Sequence, residues 1–356
     1  TEGEGSQIEN REYRPRVEFD AGVSGNAYIF LEDQAQNNFG VRGNFDLRVN
    51  PRGRFGFSLS NRLARTVRPF TGRSNQSIVD SGRVNNATTL LLQARSPGGV
   101  FNTSFGYGFR LDFFESEDFR YANSFVHQIT ADTHYRFLPR TSIFWDATAE
   151  FTDYYNDAIG APLAQSNNWR VRSRVGLNGV ITPRLSATVA AGYTAVFLQD
   201  STLGDFDTVL LLASLRGQLT PTLALGLGYE RENRGSVTGN YRLQDRGYVD
   251  LQWLFARSFL FGAEVSVAYL QFGDIAGASI DPLDPGARNR TDVYLEAKAF
   301  AEYRFTDYLA VNLSVGYFGD FTDFEFLIPV DTEPAPVADP AGFSKFEAWL
   351  GVRVFY

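Results

Sequence analysis

The sequence predicts an all-β chain: a transmembrane, antiparallel, up-and-down β-barrel of about 16 strands, with 18 possible. Three observations carry that reading. Long segments of apolar–polar alternation fill the chain from residue 16 onward. Short turn signals and longer polar connections take turns between them. The chain also ends in an alternating strand whose last residue, Tyr356, is aromatic.

That last strand is the clearest element. Phe346, Ala348, Leu350, Val352, Val354 and Tyr356 fall on one face, against Lys345, Glu347, Trp349, Gly351, Arg353 and Phe355 on the other. Successive strand residues point to opposite faces, so one side suits lipid and the other water. The spacing of Gly351, Val354 and Tyr356 also resembles the C-terminal signal by which the bacterial outer-membrane assembly machinery recognises its clients. That machinery is an expected partner during biogenesis.

From the N-terminus, residues 1–15 are polar, acidic and Gly-rich and read as a periplasmic tail, and residues 16–356 read as a single barrel. Strands are expected at 16–30, 40–50, 54–64, 84–95, 100–113, 124–137, 141–155, 168–181, 184–199, 205–219, 222–234, 241–255, 258–272, 291–305, 308–322 and 343–356. Seven tight turns follow from Asn50-Pro51-Arg52-Gly53, Ser96-Pro97-Gly98-Gly99, Leu138-Pro139-Arg140, Thr182-Pro183, Thr220-Pro221, Ala256-Arg257 and Thr306-Asp307. Longer polar connections, such as Arg65 to Arg83, Glu115 to Asn123, Asn156 to Asn167, Gly273 to Arg290 and Asp323 to Gly342, alternate with them. Short turns at one end and long loops at the other are the asymmetry of a bacterial outer-membrane barrel. An even count puts both termini on the short-turn side. The connection from Arg65 to Arg83 is long enough to hide a further pair of strands.

Length separates this reading from a soluble β-sandwich. Strands in soluble sheets run about 5–6 residues, and membrane-crossing strands need about 9–11. Nearly every segment here reaches the longer class. Alternation then assigns the faces. Phe101, Thr103, Phe105, Tyr107, Phe109, Leu111 and Phe113 share one side of their strand; Leu223, Leu225, Leu227 and Tyr229 are expected to meet lipid, as are Val354 and Tyr356. Aromatics such as Phe55, Phe137, Trp145, Trp253, Phe259 and Tyr308 gather beside the tight turns, where an interfacial girdle belongs.

Composition narrows function. Cysteine is absent, which excludes disulfides, thiolate metal sites and a Cys nucleophile. Methionine is absent too, so the sequence reads as processed or trimmed. No run approaches the ~18 apolar residues of a membrane helix. A net charge of −8 argues against nucleic acid as a partner. His127 and His134 are the only histidines and sit an odd number of positions apart on one strand, so they face opposite ways. A shared dyad or metal pair is not feasible; no catalytic residues, metal ligands or cofactors are expected. The acidic loop from Asp281 to Pro285 lacks EF-hand ligand spacing and reads as solvated and stiffened by proline.

The lumen is the remaining place for function. Arg170, Arg172 and Arg174 should line one strand; Arg242, Gln244, Arg246, Tyr248, Asp250 and Gln252 another; Glu296, Lys298 and Glu302 a third. Asp132, Asp146, Glu150 and Glu264 are expected to face inward with them. These charges would either neutralise one another and hold a wide barrel round, or line a substrate path. Inward aromatics, Tyr28, Phe30, Phe144, Tyr248, Tyr294 and Phe300, would stack on sugar rings or fill space.

At the hairpins the chain resembles a known family. Tyr135-Arg136-Phe137-Leu138-Pro139-Arg140-Thr141-Ser142-Ile143, followed by Phe151-Thr152-Asp153-Tyr154, is similar to the repeated hairpin of the putative beta-barrel porin 2 family; Ile181 to Leu185 and Leu219 to Leu223 echo it. The resemblance covers roughly residues 16 to 356 and implies an outer-membrane conduit for exopolysaccharide or capsule export. It brings no catalytic residues. The tail is too short for a periplasmic domain, so a separate periplasmic polysaccharide-export protein is the expected partner, with outer-membrane lipid around the barrel. A passive diffusion porin, general or sugar-selective, is the alternative. A plugged structural barrel is a third class, disfavoured because sixteen strands leave room for an aqueous channel.

Overall fold

The structure is a computed structural model, which describes residues 16–28, 38–66, 82–115, 117–155, 166–200, 204–236, 241–256, 258–273, 290–328, 337–340 and 342–354. The N-terminal tail, Phe30, Asp281 to Pro285, most of the connection from Arg65 to Arg83, and Tyr356 lie outside the described residues, as does the side chain of Tyr28.

Strands dominate. They are β1 (Val17–Tyr28), β2 (Asn38–Val49), β3 (Phe55–Thr66), β4 (Arg83–Arg95), β5 (Phe101–Phe114), β6 (Ser124–Leu138), β7 (Thr141–Tyr154), β8 (Asn168–Thr182) and β9 (Leu185–Leu198). There follow β10 (Phe206–Thr220), β11 (Leu223–Arg234), β12 (Arg242–Phe255), β13 (Phe259–Phe272), β14 (Thr291–Thr306), β15 (Leu309–Phe321), β16 (Glu325–Ile328), β17 (Val337–Pro340) and β18 (Phe343–Val354). Among the described residues sixteen of these form one sheet in sequence order, from β1 to β15 and then β18. Each described neighbour pair is antiparallel, as in β1 with β2 and β15 with β18. This is the up-and-down sheet of an outer-membrane barrel, and its strand boundaries fall within about two residues of those expected.

One element departs from expectation. The connection from Asp323 to Gly342 holds its own hairpin, β16 with β17, paired from Glu325 and Pro340 to Ile328 and Val337. At four residues each, these strands are far too short to cross a membrane, and they stand apart from the main sheet. Their brevity and the prolines between them hid them in a segment read as loop. Glu117–Ala122, also read as loop, forms a short 3-10 helix.

The tight turns explain the register. At four of the seven, β6/β7, β8/β9, β10/β11 and β14/β15, the pairing slips by one residue just before the turn. Such bulges add local twist and let a two-residue turn close a long hairpin. Asn50 and Ala256 take positive φ, at 52° and 49°. Asn tolerates that region through its short polar side chain; Ala does not. Replacing Ala256 with Gly is therefore expected to stabilise the barrel by up to about 1 kcal/mol, measurable as a shift in urea unfolding midpoint. An unchanged or lowered midpoint would count against strain at this turn.

Burial is inverted relative to a soluble protein. Leu350, Val354, Phe346 and Val23 are 78%, 73%, 70% and 86% exposed. Arg242, Arg246, Glu296 and Glu302 are buried. A curved sheet spreads the side chains on its convex face and crowds those on its concave face. Apolar groups thus sit outward and charges inward. With every backbone group of a central strand paired to its neighbours, only the apolar outer belt meets lipid. The belt has two polar limits. Trp253, Phe255, Tyr303 and Phe305 flank the tight turns, while Tyr193 with Asp207 (2.5 Å) and Tyr229 and Arg231 with Asp245 (2.5 and 3.1 Å) mark the long-loop side.

Candidate functional site: the charged inner wall

The inner wall is built by parity. Cross-strand register brings Glu150 opposite Arg170, Asp146 opposite Arg174, Asp250 opposite Glu264, and Glu264 opposite Lys298. The inward arginines are largely matched by carboxylates. Arg170 donates to Glu150 at 3.0 Å and Arg174 to Asp146 at 2.9 Å. Arg172 is 4.0 Å from that same Asp146 and reaches the Thr148 hydroxyl at 3.4 Å. Arg246 lies between Glu230 (3.7 Å) and Glu264 (2.5 Å), with its guanidinium 4.7 Å from the Tyr248 ring centroid. Arg216 reaches Asp250 at 3.5 Å and Gln252 at 2.8 Å. Lys298 pairs with Glu296, and Arg353 with Glu302 at 3.0 Å. Arg242 is 2% exposed near the end of the same wall.

The histidines separate by face. His127 accepts or donates a 2.7 Å hydrogen bond with Tyr107 on the outer face, and His134 pairs with Asp132 at 2.9 Å on the inner face. Leu223, Leu225, Leu227 and Tyr229 share the outer face of β11, and Val354 is exposed on that of β18. Among the described residues, no group of three or more His, Asp or Glu is assembled to hold a metal ion.

Aromatics follow two patterns. Tyr248 lies flat over Gly228, where a Cβ would come within 2.5 Å of its ring, and Phe144 covers Gly176 in the same way. Glycine makes room for these rings against the wall, so they fill space more than they project. Phe300, Phe318 and Trp349 behave differently. With Arg216, Asp250, Gln252, Glu264, Lys298 and Glu347 they line an open cavity of about 560 Å³ toward the tight-turn side. Sequence reading singled out Phe300 but not Phe318 or Trp349, whose inward parity was the available signal.

A second cavity, of about 390 Å³, lies toward the long-loop end and is lined by arginines from four strands: Arg83, Arg110, Arg170, Arg172 and Arg234. Asp112 serves two of them, Arg83 and Arg110. Only Arg170 and Arg172 of this set were singled out from sequence. A third cluster, also missed, is buried at the same end. Arg290 bonds Asp292 (2.6 Å) and Asp320 (3.3 Å), and its guanidinium lies 4.7 Å from the Phe272 ring centroid.

No family model matches the sequence, and no curated protein matches it. Solved structures do. The FrpB iron transporter from Neisseria meningitidis, as the F5-1 variant apoprotein, aligns at a TM-score of 0.57 and 7% identity over 87% of this chain and 58% of that one. Its F3-3 variant gives 0.53 and 8% over the same shares. The copper transporter OprC gives 0.51 and 13%, over 88% of this chain and 58% of that one. The chain has an outer-membrane barrel fold. It spans about three-fifths of the length of the structures it resembles.

Proposed function

We propose that this barrel is a transport conduit of the bacterial outer membrane, and that it carries a neutral or acidic polysaccharide outward from a periplasmic export partner. The carrying observation is the 560 Å³ cavity, where Phe300, Phe318 and Trp349 stand among Asp250, Glu264, Gln252 and Arg216. Rings offer flat apolar faces to a sugar, and carboxylates and amides accept and donate to its hydroxyls. The paired arginines would hold an acidic chain loosely, without the deep minimum that would trap it. Similarity to barrels named as iron and copper transporters fits a transport role at the level of fold. The hairpin resemblance to the putative beta-barrel porin 2 family supports export in particular.

Deleting the gene is expected to abolish surface polysaccharide while small-solute uptake stays unchanged. Trp349→Ala with Phe318→Ala should lower export several-fold in a barrel that still folds. Normal surface polysaccharide together with lost permeability to small sugars would instead identify a diffusion porin.

A further inference from the structure

We propose that the arginine cavity near the long-loop end is a discrete anion-binding site for a group of the phosphate or carboxylate class. It goes beyond the export reading and does not depend on it. The cavity and its neighbouring ion pairs bring together six arginines, Arg83, Arg110, Arg170, Arg172, Arg174 and Arg234, among the described residues. Among the described residues their bonded carboxylates are four: Asp112, Asp146, Glu150 and Glu232, two of which are shared between two arginines. Asp132, opposite Asp146 on β6, turns to His134 instead. The excess is positive.

Donor accounting points the same way. Nε of Arg170, Nε of Arg172 and Nδ2 of Asn233 are buried without hydrogen-bond partners among the described residues, against one idle acceptor, Oδ1 of Asn233, and all three residues line this cavity. Buried polar groups are normally satisfied, so three idle donors around one space call for an acceptor. The site is also partly covered from above. A Cβ on Gly235 would lie 3.5 Å from Arg170 Nη2, although β11 is three strands from β8 in the sheet. The end of β11 therefore leans inward over the cavity. A volume of about 390 Å³ is in the range of small-ligand pockets and admits one pyrophosphate or one acidic sugar unit.

Two sources carry this chemistry: a phosphorylated solute, or the uronate groups of an acidic glycan. Calorimetric titration of the folded barrel in detergent micelles with inorganic pyrophosphate, and separately with trigalacturonate, distinguishes them. Wild type should bind at least one of the two saturably, and that one identifies the source. Binding should weaken as salt rises. The Arg170→Gln, Arg172→Gln double variant should weaken it at least about tenfold, since charge-assisted hydrogen bonds are lost. Glu150→Gln should tighten it, because it removes the carboxylate competing for Arg170; this variant keeps the test alive should the double variant misfold. Arg231→Gln, on the outer face, should change nothing. Absence of saturable binding to both probes in wild type would overturn the site, as would equal affinity in the double variant or in Glu150→Gln.

Discussion

Arginine introduced at Leu227 is expected to destabilise the folded barrel by about 2–4 kcal/mol. Leu227 is 49% exposed on the outer face of β11, between Leu223 at the tight-turn end and Tyr229 at the polar limit marked by Asp245. A guanidinium there has no cross-strand acid. Its register partners are Leu215 and Val249, both on the apolar face. At Leu223, beside Trp253, the same substitution reaches the interface and should cost only about 0–1 kcal/mol. Reversible urea titrations in phospholipid vesicles would measure both. Equal costs at the two depths, or no cost at Leu227, would mean this face does not lie in hydrocarbon.

The sequence made most of the architecture legible because two local signals agreed. Alternation assigned faces, and Pro- and Gly-bearing turn signals divided the strands. Both depend only on neighbouring residues. What was not legible depends on register between strands. Alternation puts Arg83, Arg110 and Arg234 inward, but only the stagger of β4, β5, β8 and β11 brings them to one cavity. Trp349 and Phe318 likewise had the right parity; pairing of Ser314 with Trp349 and of Glu296 with Phe318 gave them their neighbours. Parity itself fails at Asn233. Counting from Tyr229 puts it outward, yet it lines the arginine cavity, because the end of β11 bends in. The periodic argument holds where a strand crosses the membrane and weakens where it leaves.

Replacing Arg290 with Met is expected to cost about 3–5 kcal/mol at neutral pH. The Arg290 side chain is fully buried, as is Asp292, and Asp320 is nearly so. Arg290 also stacks near Phe272 and Phe324, so its stem is packed as well as its charge paired. Met preserves much of that packing and removes only the cation. Two buried carboxylates would then face each other with Arg242, which also acts on Asp320, as the remaining nearby cation. Adding Asp292→Asn and Asp320→Asn to the variant should recover most of the loss. Arg48→Gln provides the contrast: in its 3.9 Å pair with Glu18 the side chains are 55% and 33% exposed, and such a pair contributes about 0–1 kcal/mol. Urea titrations of the four proteins at neutral pH test the argument. A loss below about 1 kcal/mol for Arg290→Met, or no recovery on removing the two acids, would show that packing around Arg290, and not its charge, holds this end of the barrel.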